Sequence, residues 1–327
     1  MIRIKKSTIV CFALLASSFY AFAQQDAQYS QYMFNSLVIN PAYAGYKESL
    51  NISALHRDQW AGVEGGPKTQ SLVVDGSFFD DKVGLGLSIV NDKVGLQRQS
   101  SAFVNYAYRL KVGADATLAF GLGAGVGQYT VNALDANVDD MTDPNFMGGN
   151  SSYFAPDIRA GIHFSNDKFY VGFSTTNLLS QSLDYGNANK NLIVKQGRHF
   201  FLTAGYLVDI TDFLKFKPSF LVKEDTKGPT NLDVNSFFLL GEKVWVGASY
   251  RTSVNLLDKT GVASGVKSAN AVVGMVELYT GNGWRLGYAY DYSLSSIKGY
   301  TGSTHEISLG LTLGGKKQYR ILSPRYF

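Results

Sequence analysis

The sequence predicts an all-β fold: a transmembrane outer-membrane β-barrel of about fourteen antiparallel strands with a plugged lumen. Three observations carry this reading. Apolar and small or polar residues alternate with period two through most of the chain, the signature of strands whose two faces differ. The connections between them alternate between short and long, as in a barrel with both termini on one side of a membrane. The composition is low in charge but not strongly apolar: 17% charged and 13% aromatic, with 34 Gly and a mean hydropathy of −0.04. A soluble domain carries nearer a quarter charged residues. A helical membrane protein needs runs of about 20 apolar residues, and none occurs beyond the N-terminus.

Residues 1–23 read as an export signal. Arg3, Lys5 and Lys6 form a basic start, Ile9 to Ala16 an apolar stretch, and Ala21-Phe22-Ala23 a small-x-small cleavage pattern that makes Gln24 the mature N-terminus. Losing the three basic residues takes the formal charge from +4 to +1, which removes the electrostatic case for nucleic acid. Cys11, the sole cysteine, lies inside the leader, so the mature chain has no disulfide, thiolate nucleophile or cysteine metal site.

Residues 24–48 precede the first strand and are the segment available to fill a lumen. The barrel then occupies 49–313, with a tail at 314–327. Expected strands are 49–57, 69–78, 83–90, 99–110, 116–127, 154–164, 167–176, 198–208, 213–223, 231–240, 242–252, 268–279, 283–292 and 304–313. In Leu118–Gly127, for example, Leu118, Phe120, Leu122, Ala124 and Val126 alternate with Ala119 and four glycines. Two segments are weaker: 268–279 lacks clean polarity, and Pro218 interrupts 213–223. A secreted sandwich would show a polar outer face, whereas here one parity of nearly every strand is apolar.

The other parity holds Asp75, Asn105, Arg109, Asp157, Arg159, His163, Asp233, Asn235, Arg285, Asp291 and Glu306. These line a water-filled channel or pair across the lumen around an inserted segment. Glycine-rich inner faces admit a close backbone and favour the second arrangement.

Chemistry is sparse. His56, His163, His199 and His305 form no HExxH or comparable spacing, and no GxSxG elbow supports a hydrolase. Asp135, Asp139, Asp140 and Asp143 in the 128–153 loop lack EF-hand spacing and read as a solvated loop rather than a calcium site. No catalytic residue, cofactor or metal is expected.

Short motifs recur in order along the mature chain. Gln28-Tyr29-Ser30-Gln31-Tyr32-Met33-Phe34-Asn35 is followed by Asn40-Pro41-Ala42-Tyr43-Ala44-Gly45. Then come His56-Arg57-Asp58-Gln59-Trp60, Glu64-Gly65-Gly66-Pro67-Lys68 and, far downstream, Ser303-Thr304-His305-Glu306-Ile307. This series resembles the PorP/SprF family of type IX secretion system membrane proteins from Bacteroidota, with Thr304 a small departure. The resemblance implies a non-enzymatic outer-membrane component of the secretion and gliding machinery. It implies partners in the periplasmic ring and outer-membrane translocon, and in some members a surface-attached cargo protein. Candidate partner-binding or family-motif positions are Asn40, Pro41, Tyr43, Gly45, His56, Arg57, Asp58, Gln59, Trp60, Pro67, His305 and Glu306. The residue before Pro41 avoids αR and Gly45 tolerates positive φ, so that motif is expected to position the chain as it enters the barrel. Trp60 reads as an interfacial aromatic or a partner anchor. An outer-membrane channel or hydrophobic-solute transporter is the alternative on the same architecture.

Overall fold

The computed structural model describes residues 28–133, 150–179, 197–225, 228–254, 271–295 and 302–314. The expected leader, nearly all of the tail and the four loop aspartates lie outside the described residues. The wall consists of β1 (Leu50–Asp58), β2 (Lys68–Phe78), β3 (Val83–Val94), β4 (Gln97–Lys111), β5 (Thr117–Val131), β6 (Ser151–Ser165), β7 (Phe169–Thr176), β8 (His199–Tyr206), β9 (Val208–Asp209), β10 (Leu214–Asp225), β11 (Thr230–Leu240), β12 (Val244–Val254), β13 (Ala271–Tyr279), β14 (Trp284–Ser293) and β15 (Thr304–Leu313). Every pairing is antiparallel, and β15 pairs with β1 to close the cylinder.

The β8 and β9 segments pair with β10 in one continuous register, so together they make a single wall strand and the barrel has fourteen. The alternation predicts one unbroken strand over 198–208. The interruption at Leu207 sits opposite Lys217 and Pro218, where the ladder to β10 lapses. Proline has no N–H to give, so the β10 side of the ladder lapses there, while on the β7 side Leu207 still donates to the Lys168 carbonyl in register with the Phe169–Tyr206 pair.

The alternation sets the facing as expected. Leu85, Leu87 and Ile89 on β3, Val104, Tyr106 and Tyr108 on β4, and Leu286, Tyr288 and Tyr290 on β14 point outward and are exposed. In water these side chains would be an aggregation hazard; in lipid they are the solvent-facing surface. Among the described residues no helix is long and apolar enough to cross a membrane, and the strands do the crossing.

The four strands β3 to β6 run longer than the alternation indicated, to Val94, from Gln97, to Val131 and from Ser151. The β3–β4 connection shrinks to Gly95-Leu96, with Gly95 at φ +55°. This part of the wall therefore extends past the apolar band on the side of the long loops.

A lumen filled by the chain's own N-terminal segment

Residues 28–49 lie inside the cylinder. Their path begins at the short-turn end, where Ser49 leads into β1, and rises toward the long-loop end, where Ser30 meets the upper parts of β1, β14 and β15. Three short 3-10 turns carry it: Tyr32–Phe34, Ser36–Val38 and Pro41–Tyr43. Such turns leave many backbone groups without helical partners, and the wall supplies them.

The Asn-Pro-Ala-Tyr-Ala-Gly motif forms the lower half. Asn40 caps the third turn by accepting from the Ala42 N–H at 2.9 Å, with Pro41 at the first helical position, where its missing N–H costs nothing. The Asn40 amide also donates to the Ile162 carbonyl at 3.3 Å. Gly45, at φ +67°, donates its N–H to Asp75 at 2.9 Å, while its carbonyl accepts from Arg109. Tyr43 and Tyr46 pack edge-on against the buried His163, at centroid distances of 5.3 and 4.8 Å. The motif breaks regular structure as expected, but into a compact turn docked on the wall.

Two wall glycines make that docking possible. A β-carbon built at Gly84 would overlap the Ala44 carbonyl, and one at Gly121 would overlap the Ala42 amide. Replacing Gly121 with Leu is expected to unseat the segment, destabilising the barrel by about 1–3 kcal/mol as an overpacked core does. Faster proteolysis at 28–47 in the purified variant would register the loss.

The upper half is held by charge. Arg57 donates to Asp291 at 2.8 Å and to Glu306 at 3.0 Å, and to the Ser30 hydroxyl at 2.8 Å. Ser30 in turn donates its hydroxyl to Asp291 and its N–H to Glu306. Glu306, fully buried, also accepts from the Gln31 N–H at 2.7 Å. Arg251 extends the network, donating to both Asp233 oxygens at about 3 Å and to the Tyr29 carbonyl at 3.3 Å. Between these halves Asn235 donates to the Tyr32 hydroxyl at 2.6 Å.

The motif positions divide between this interior and the rim. Asn40, Pro41, Tyr43, Gly45, Arg57 and Glu306 are buried in the lumen. His56 points outward, and Asp58, Gln59, Trp60 and Pro67 sit half-buried at the top of β1 and in the following loop. The β15–β1 seam joins two motifs that are far apart in sequence, with Arg57 opposite Glu306 and Asp58 opposite His305. Ala61 donates to the Ser303 carbonyl at 2.8 Å, and Trp60, at φ +58°, donates weakly to the Thr304 hydroxyl at 3.4 Å. His305 faces away from its neighbour Glu306, and its ring nitrogens meet the Tyr288 and Ser303 hydroxyls at 2.8 and 3.2 Å. No group of His, Cys, Asp and Glu able to hold a metal occurs among the described residues. All the inward charges read from the alternation do face the lumen. Arg251 and Ser30 were missed, although Arg251 shares the inward parity of Trp245 and Ser249.

Fold and interior together define a membrane β-barrel of the outer-membrane, porin-like class, with its lumen occupied by its own N-terminal segment. Among solved structures it is similar to the Ralstonia pickettii toluene transporter TbuX, at a TM-score of 0.51 and 9% identity over 86% of this chain and 94% of that one. It is also similar to the CymD monoaromatic hydrocarbon channel, at 0.50 and 11% identity over 85% and 91%. At these identities the likeness concerns the fold alone. No curated protein sequence matches the chain. The family described as type IX secretion system membrane protein PorP/SprF matches residues 21–311, and the chain belongs to that family.

Proposed function

We propose that this protein is a sealed, non-catalytic scaffold of the type IX machinery, exported by cleavage of residues 1–23 and resident in the outer membrane. Its loop rim contacts translocon components or a surface-attached cargo, and its turn rim contacts the periplasmic complex. The observation that carries this reading is the lumen itself. A segment held by a buried charge network and by glycine contacts with the wall leaves a rigid cylinder whose ends are its useful surfaces. The half-buried motif residues Asp58, Gln59, Trp60 and Pro67, gathered at the loop rim, are the positions we assign to partner contact.

The test is recovery of partners from native outer membranes by a tagged chain, with conductance of the purified barrel measured in planar bilayers. Co-recovery of periplasmic ring proteins or one surface protein, with negligible conductance, is expected. Trp60→Ala should lower that recovery while the barrel still assembles; undiminished recovery would remove Trp60 from the contact.

A transporter for small apolar solutes is the second reading. It is favoured by a cavity beside the inserted segment, where apolar Val38, Ile39, Phe103 and Phe201 share the lining with polar groups such as Asp92 and Asn177. The similar solved barrels are, by their descriptions, a toluene transporter and a hydrocarbon channel. Uptake of such a solute into liposomes with no partner recovered would favour it.

A further inference from the structure

The extended part of the wall carries a feature the scaffold reading does not use. On β2, β3 and β4, Lys68 lies opposite Lys93 and Lys93 opposite Arg98. All three are exposed and share the outward parity of Leu72, Ile89 and Val104. Like charges at directly opposed cross-strand positions repel. Asp58 offsets only Lys68, at 3.7 Å. Among the described residues no carboxylate pairs with Lys93 or Arg98.

Their position along the strands supplies the reason such a row is tolerated. The outward row Leu72, Ile89, Ala102 and Val126 belongs to the lipid-facing band. The next outward row is Gln70, Asn91, Ser100 and Gln128, uncharged but polar, with Ser100 donating to Asn91 at 2.9 Å. The cations form the row after that. Four residues separate Leu72 from Lys68, roughly 13 Å along a strand and about 10 Å of height at a barrel strand's tilt. With the edge of the apolar band falling between the Leu72 and Gln70 rows, the cations stand at the level of the headgroup layer, which is roughly 5–8 Å deep on each side of the bilayer.

We propose that Lys68, Lys93 and Arg98 form an outward-facing site for the phosphate-bearing headgroup of a glycolipid in the outer leaflet. Paired phosphates on one headgroup match a row of cations about 5 Å apart at each step. The Arg98 guanidinium supplies a planar fork and the lysines two compact charges. The inference rests on the outer-membrane reading of the barrel, because it requires the long-loop end to meet that leaflet.

The experiment uses the full barrel in nanodiscs doped with bisphosphorylated lipid A or with the same lipid dephosphorylated, and reads bound lipid by native mass spectrometry. Comparison is with K68Q/K93Q/R98Q and with K111Q/K168Q/K243Q, which removes three exposed cations from the turn end. Binding of the phosphorylated lipid should weaken roughly tenfold or more in the first variant and stay unchanged in the second. The dephosphorylated lipid should bind weakly to all three. Equal retention by wild type and the first variant would overturn the site. So would competition by millimolar inorganic phosphate that abolishes lipid binding, since the row would then be a free-anion site. Insertion into the nanodisc is scored separately, so failure of the barrel reading is told apart from failure of this one.

Discussion

Replacing Arg57 with Met should destabilise the folded barrel by about 3–5 kcal/mol, the usual cost of removing one partner from a buried ion pair. The arginine is fully enclosed and is the point where Asp291, Glu306 and Ser30 converge. Its loss leaves two buried carboxylates short of their main cation, although Arg251 still reaches Asp291 at 3.5 Å. The same change releases the upper half of the inserted segment, because Ser30 and Gln31 are held through Glu306 and Asp291. Unfolding in urea would give the magnitude, and limited proteolysis the local release. Adding Asp291→Asn and Glu306→Gln to Arg57→Met should restore part of the stability, since amides are less costly than carboxylates to bury without a cation. A triple variant no better than the single one would mean that packing, not charge, holds this end.

Deleting residues 28–47 should turn a silent barrel into an open pore. Those residues fill the lumen from the turn end, near Gly84, to the latch at Glu306. The wall they leave behind presents Asp75, Arg109, Asp157, Arg159, Asp233 and Arg285, a lining that water and ions fill readily. Strands pair only with strands around the cylinder, so the wall keeps its hydrogen bonds without the segment. Planar-bilayer recordings should pass from negligible current to a large, steady conductance. If the shortened chain inserts and conducts no more than the intact one, something other than this segment closes the lumen.

Much of this is legible in the sequence. Period-two alternation placed the wall strands because a one-residue slip would exchange lipid-facing and lumen-facing sets, and the inward charges followed from the same parity. Three things are not. The upper ends of β3 to β6 lie above the apolar band, so their outward positions are Asn91, Lys93, Arg98, Gln128 and Ser152, and the alternation that marks a strand disappears where lipid does. The break at Leu207 is caused by a proline on the neighbouring strand, which a reading along the chain meets only eleven residues later. The path of residues 28–49 has no period to read, since single 3-10 turns repeat nothing. Arg57 shows the same limit at one side chain. Beside Asp58, Gln59 and Trp60 it looks like part of a rim motif, yet strand parity turns it inward while His56 faces out. Only the β15–β1 seam reveals that its partner is Glu306.

The central claim is that residues 28–47 are a permanent part of the barrel's interior. Hydrogen exchange of the full-length protein in lipid tests it most directly. Amides of Gln31, Ala42 and Gly45 donate to groups shielded from water. The account predicts that peptides spanning 31–45 keep their protons for hours, as slowly as neighbouring wall strands. Complete exchange of those peptides within seconds, while the wall stays protected, would contradict it.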